Sequence, residues 1–171
     1  MKRTEKNDMP NGHLHELFVD ELKDALSAEK QLLTALKKMQ QEATNEELKG
    51  AFADHHEQTQ EHIHRLKQVF DHLGLAPRAK TCKAMQGLLE EAEEISFNFD
   101  GDPIKDAALI AAAQKVEHYE MATYGTLVTY ANMMGHKQSE DLLQQTLDEE
   151  KETDRLLTDI AVNKANLVSA F

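Results

Sequence analysis

An all-α fold of four long helices, with a long crossover between the second and the third, is predicted by three observations. Ala, Leu, Glu, Lys and Gln, the strong helix formers, dominate the 171 residues, whereas Gly and Pro number seven and three. Apolar residues recur in alternating steps of three and four over four stretches, the period of a helix with one buried face. Short polar breaks divide the first pair of stretches and the last pair, and residues 75–103 lie between the pairs. A chain of this length fits one domain and can bury a real core.

Each element has its own signals. Residues 1–12 are polar, contain Pro-Asn-Gly at 10–12, and are expected to form a loose tail. The first helix should run from about 13 to 41, with the seam Leu22, Leu26, Glu29, Leu33, Leu36 and Gln40. Thr44 followed by Glu47 reads as a capping box that opens the second helix. Its seam is Leu48, Phe52, His55, Thr59, His62, Leu66, Val69 and Leu73, and Gly74 and Pro77 should end it. The crossover carries a short helix from Cys82 to Ile95, with Met85, Leu88, Leu89 and Ala92 on one side. Asp102-Pro103 has the form of an N-cap followed by a first-turn proline. The third long helix should cover about 103–134, with the seam Ile110, Ala113, Glu117, Glu120, Tyr124, Leu127, Ala131 and Met134, and Gly135 should close it. The fourth should cover about 138–165, with the seam Leu143, Leu147, Glu150, Asp154, Leu157 and Ala161, before a C-terminal tail at 166–171. Met39, Met85, Met121, Met133 and Met134 read as core filler, and Cys82 as packed under the crossover helix. Helices of this length would each be roughly 40–45 Å long. Two antiparallel hairpins joined by one long crossover are the connectivity of a ferritin-like four-helix bundle over 13–165.

Charge narrows the function. The formal net charge is −12, with 31 acidic residues against 19 basic. Such a balance argues against a nucleic-acid partner and against an anionic membrane surface. No apolar run approaches the roughly 20 residues of a membrane span, and 1–11 lacks the apolar core of a signal peptide. With a single cysteine, Cys82, the expected compartment is the reducing cytoplasm.

The candidate chemistry lies where all four seams turn polar near their middles. The first helix offers Glu29. The second offers His55, Gln58, Thr59 and His62, the third Glu117 and Glu120, and the fourth Glu150 and Asp154. Measured from the two short turns, these positions fall at one height. Five carboxylates that close cannot all stay ionised without compensation, and no seam residue near this layer is Lys or Arg. One or two metal cations would compensate them. Hard oxygens with one or two imidazoles suit iron or manganese. Paired acids at i, i+3 let a carboxylate bridge two ions, so Glu117 or Glu120 is the expected bridge. Glu29, Glu150 and His62 are then terminal ligands, and Asp154 and His55 are terminal or orienting. Tyr124, one turn from Glu120, would hydrogen-bond a ligand. His118 lies off the seam, and Glu149 and Glu152 should face outward. The alternative is a metal-free polar layer whose acids are protonated or bonded to His55, His62, Thr59 and Tyr124.

Asp-Ala-Ala-Leu-Ile-Ala-Ala-Ala-Gln-Lys-Val-Glu-His-Tyr-Glu at 106–120 resembles the signature of the YciE/YciF family of bacterial ferritin-like proteins. So do Ser-Ala-Glu-Lys-Gln-Leu at 27–32, Cys-Lys-Ala-Met-Gln-Gly-Leu-Leu-Glu-Glu-Ala at 82–92 and Thr-Leu-Asp-Glu-Glu-Lys at 146–151. The resemblance implies a rubrerythrin-like site for two iron ions, dimerisation and a role in bacterial stress. By position, Glu29 matches the first-helix ligand, Glu117 and Glu120 the Glu-x-x-Glu of the third helix, and Glu150 the fourth-helix ligand. The second helix departs from the wider Glu-x-x-His pattern, with Thr59 and His62 at the aligned positions and Gln58 where relatives often carry Glu. The fourth offers Glu150 and Asp154 in place of that motif. The implied activity is oxidation of Fe(II) by oxygen or peroxide. The rivals are a protective or interaction protein that does not turn over, and a storage shell.

Overall fold

The computed structural model describes residues 12–165; the predicted tails at 1–11 and 166–171 lie outside the described residues. Five helices follow in order: α1 (Gly12–Glu42), α2 (Glu46–His72), α3 (Lys83–Asn98), α4 (Lys105–Met133) and α5 (Lys137–Ile160). Helix α5 does not stay α-helical to 165 as expected but continues as a π-helical turn at Ala161–Ala165. Among the described residues no helix is long and apolar enough to cross a membrane.

Helix α1 pairs with α2 and α4 with α5, and the hairpins meet along α2–α5 and α1–α4. His15 and Phe18 near the start of α1 meet His136 at the α4–α5 turn, so α1 and α4 run antiparallel. The end of α2 and the start of α4 therefore lie at opposite ends of the bundle, and the connection must travel its length. Helix α3 lies along that path, against α4 and α1. Backbone and side-chain bonds pin it there. The Cys82 N–H donates to the Ser27 hydroxyl at 3.0 Å, and Gln31 Nε2 donates to the Cys82 carbonyl at 3.1 Å. Near its far end the Ser96 hydroxyl donates to Glu42.

The helix ends show what local signals can and cannot specify. Helix α2 is capped by Asn45, whose Oδ1 accepts from the N–H groups of Glu47 (2.9 Å) and Leu48 (3.1 Å), and not by Thr44. The N–H and hydroxyl of Thr44 are instead taken by Asp106 of α4, at 2.8 and 2.6 Å. A charged acceptor from a neighbouring helix outcompetes the local box. Helix α4 starts at Lys105 rather than at Pro103, because 102–104 form a turn in which Asp102 Oδ1 accepts from the Ile104 N–H at 2.9 Å. Gly74 (φ 67°) and Gly135 (φ 72°) stop α2 and α4 in the left-handed conformation that a side chain would strain. Cys82 is the N-cap of α3, its Sγ accepting from the Met85 N–H at 3.3 Å.

The core is split in two. One cluster gathers Phe18, Leu22, Leu26, Phe70, Tyr124, Leu127 and Leu143 at the α4–α5 turn end. The other gathers Leu36, Leu48, Phe52, Met85, Leu109, Ile110 and Leu157 at the α1–α2 turn end. Full burial of each large side chain is worth about 1.5–3 kcal/mol. Met39 and Met85 are core residues and Met121 and Met134 pack against it, but Met133 is 62% exposed and fills nothing. The polar layer lies between the clusters, walled by apolar packing on both sides.

Candidate metal centre

Four helices aim polar groups into this layer. Glu29 comes from α1, His55 and His62 from α2, Glu117 and Glu120 from α4, and Glu150 from α5; all six are at most 2% exposed. They reach one place because each replaces an apolar residue on a seam, at heights set by the two short turns.

Two overlapping groups form. The potential donor atoms of His55, Glu117, Glu120 and Glu150 lie within 4.8 Å of one another, and so do those of Glu29, His62 and Glu150. Glu150 belongs to both. The expected bridge was Glu117 or Glu120; the geometry gives the shared position to Glu150, because α5 faces both α2 and α4 whereas the two α4 acids lie on the His55 side. His55 Nε2 is 3.3 Å from Glu117 Oε1 and 3.7 Å from Glu150 Oε2. His62 Nδ1 is 3.1 Å from Glu150 Oε1 and 3.4 Å from Glu29 Oε1. These approaches are close but not aligned. His55 Nε2, His62 Nδ1, Glu29 Oε2, Glu117 Oε2 and both carboxylate oxygens of Glu120 and Glu150 are buried without a hydrogen-bond partner. Buried polar atoms are nearly always satisfied. Atoms that converge without bonding one another are arranged as a ligand set is, toward a common centre.

The electrostatics are those of crowded charge. Burial, then the charges of Glu150, Glu29 and Glu117, push the Glu120 carboxyl well above its ordinary range. Burial drives Glu150 up to about 7, against the pull of His55 and His62. Burial acts to lower His55, but the charge and close approach of Glu117 and the charge of Glu150 override it and raise the imidazole to about 10. His62 is raised too: burial opposes this, and Glu29, Glu149 and Glu150 outweigh it. Tyr124 is fully buried, its phenol pushed well up by burial and by Glu29 and Glu120, and its hydroxyl donates to Glu29 Oε1. A metal cation in this layer would replace protons as the compensating charge.

The other predicted residues take different places. Gln58 is not in the cluster; its Oε1 lies 3.2 Å from His55 Nδ1 and holds the back of that ring. Thr59 is buried, but its hydroxyl donates to the His55 carbonyl one turn back at 2.8 Å. Asp154 lies outside the layer, where Gln114 Nε2 donates to its Oδ1 at 3.1 Å and His118 Nε2 stands 3.4 Å away. The layer thus holds four buried carboxylates rather than five. Thr153, three residues after Glu150, places its hydroxyl 3.4 Å from His55 Nδ1.

Glu149 and Arg65 are the residues the sequence reading missed. Glu149, expected to face outward, accepts from His62 Nε2 at 2.8 Å and is gripped by Arg65 Nη1 and Nη2 at 2.7 and 2.8 Å. Burial disfavours its charge, but these bonds outweigh it and hold the carboxyl down at about 2. The signal was present: Arg65 is three residues after His62, and Glu149 flanks Glu150 on the side that meets α2.

Known proteins share this architecture. YciF of Escherichia coli K12 is 47% identical over 154 residues, which cover 90% of this chain and 93% of the relative. The crystal structure of the E. coli stress protein YciF matches with a TM-score of 0.85 at 47% identity, covering 90% of this chain and 97% of that one. A Rhodopseudomonas palustris protein matches at 0.83 and 38% identity, covering 91% and 97%. A bacterioferritin-related dodecameric thioferritin from Bacteroides fragilis matches at 0.69 and 17% identity, over 91% of this chain and 90% of that one, a likeness of fold. The model of a domain of unknown function, DUF892, matches residues 13–169. Sequence blocks, bundle and relatives agree, and the chain belongs to the DUF892 family, that of YciF.

Proposed function

We propose that this chain binds two metal ions in its mid-bundle layer and oxidises Fe(II), with oxygen or peroxide as the electron acceptor. The observation that carries this reading is the set of orphaned, converging oxygen and nitrogen atoms from four helices. Carboxylates with imidazoles suit iron first and manganese second. One ion would be held by His55, Glu117, Glu120 and Glu150, the other by Glu29, His62 and Glu150. Bound iron supplies the electron-transfer chemistry. The chain's own residues do the rest. Glu150, common to both groups, would be the ligand the two ions share. Tyr124 orients Glu29 through its hydroxyl, and Gln58 orients His55. The apolar clusters on both sides exclude water.

The stress role is proposed from the description of YciF, and a homodimer from the family resemblance; light scattering that gives a monomer mass would remove the latter. The test of the main reading is metal content by elemental mass spectrometry after anaerobic Fe(II) loading, followed by admission of oxygen. About two irons per chain, lost in Glu117→Ala, and oxidation faster than buffer alone are expected. A chain that holds metal without oxidising Fe(II) favours a second reading, a metal-stabilised protective protein. Its support is Thr59, which cannot serve as a carboxylate ligand on α2.

A further inference from the structure

Both ring nitrogens of His62 face carboxylates. Its Nδ1 faces Glu150 and Glu29 at 3.1 and 3.4 Å, and its Nε2 meets Glu149 at 2.8 Å. Glu149 is 31% exposed. It is fixed by the two-pronged Arg65 contact, and Arg65 Nη1 also reaches the Thr146 hydroxyl at 3.3 Å. An ionised carboxylate only accepts hydrogen bonds. The proton of the bond must therefore sit on His62 Nε2, so the nitrogen left to give up its proton to a metal ion is Nδ1, which is turned toward Glu29 and Glu150. Metal-binding imidazoles are commonly oriented by a carboxylate on their other nitrogen. Here that carboxylate is itself oriented, by a planar guanidinium whose fork fits it.

We propose that Glu149, clamped by Arg65, is the positioning residue that fixes the ring and tautomer of His62, and thereby sets the affinity of the Glu29-side ion alone. This rests on the two-ion reading above. The asymmetry follows from the partners. On the other side, the back of His55 meets the neutral amide of Gln58 and the Thr153 hydroxyl, with no charged clamp. The inference distinguishes Glu149 from a salt-bridging surface acid, whose loss would lower stability without singling out one ion.

The test is an anaerobic titration of the metal-free full chain with Co(II), read by its visible ligand-field absorption. The native chain is expected to take two ions, and Glu29→Gln to lose one step. Glu149→Ala should weaken that same step by about 10–100-fold and leave the other in place. Glu149→Gln, whose amide carbonyl can still accept from Nε2, should recover part of the affinity, and Arg65→Gln should cost less than Glu149→Ala on the same step. Both steps unchanged in Glu149→Ala, or both weakened alike, overturns the inference while the two-ion reading stands. A native chain that takes no Co(II) overturns the two-ion reading, and the inference with it. Should Glu149→Ala not fold, Arg65→Gln carries the test, and a native-like titration of it overturns the inference.

Discussion

Glu120 shows what the buried layer costs. Both its oxygens are buried and unpartnered, and three other carboxylates press on it. A protein selected for stability alone would not keep a carboxylate there, since an uncompensated buried acid is destabilising. Glu120→Gln replaces it with a neutral side chain of nearly the same shape. In the metal-free protein this substitution is expected to raise stability by about 1–2 kcal/mol, or roughly 2–8 °C in Tm for a chain of this size. Metal-dependent stabilisation should shrink in the same variant. Paired thermal melts with and without Mn(II) measure both, and a Glu120→Gln protein less stable than the parent when metal-free would show that the carboxylate is structural. Individual residues of the layer were legible because charge on an apolar seam is conspicuous: Glu29, Glu117, Glu120 and Glu150 stand out against leucines and alanines. Glu149 was not legible, because an acid beside the seam looks like a solvated one until the facing helix is known. Asp154 misled for the matching reason. It keeps the seam spacing, but Gln114 of α4 takes it at the bundle surface.

At the scale of elements, periodicity gave the helices and their antiparallel pairing, and glycine gave the stops at Gly74 and Gly135. Helix starts were less legible, since side-chain caps compete with tertiary partners. Asp106 is the clearest case. It lies in the first turn of α4, is 6% exposed, and accepts from the Thr44 N–H, the Thr44 hydroxyl and the Asn45 N–H. One carboxylate thus ties the end of the long crossover to the turn between α1 and α2, which fixes the height of α4 against α2. Height matters, because Glu117 and Glu120 meet His55 only if the two helices are in register. Asp106→Ala is expected to cost about 2–3 kcal/mol, as the loss of a charged acceptor that leaves backbone donors unpaired. It should also weaken metal binding, although Asp106 touches no group of the centre. Urea unfolding read beside Co(II) binding tests the pair of effects; full stability with weakened binding, or the reverse, would separate two roles that the structure joins.

For the whole molecule, the buried charges dictate a pH dependence that metal should change. The native state holds the Glu150 proton up to about pH 7, against an ordinary value of 4.5, and holds the Glu120 proton well above the same ordinary value. It holds the His55 proton up to about pH 10, against 6.5. For all three groups the native state binds more protons than the unfolded chain across these windows, so their contribution falls as pH rises. Glu149 has the opposite sign: held at about 2 against 4.5, it contributes stability that is lost as pH falls through that interval. The metal-free protein is therefore expected to be most stable near pH 4.5, to lose stability from there up to about pH 10, and to lose it again as pH falls below about 4.5. Metal ions bound in the layer would take the place of the protons. Saturating Mn(II) at about one hundred times its Kd adds about 2.7 kcal/mol per site, and more of it at high pH, where fewer protons must be displaced. The alkaline arm of the Tm profile should then flatten or reverse, while the acid arm, where protons win the ligands, stays put. Thermal melts from pH 3 to pH 10, with and without Mn(II), give both curves. Identical alkaline arms would mean that the layer answers to protons alone and that its four glutamates are a polar core.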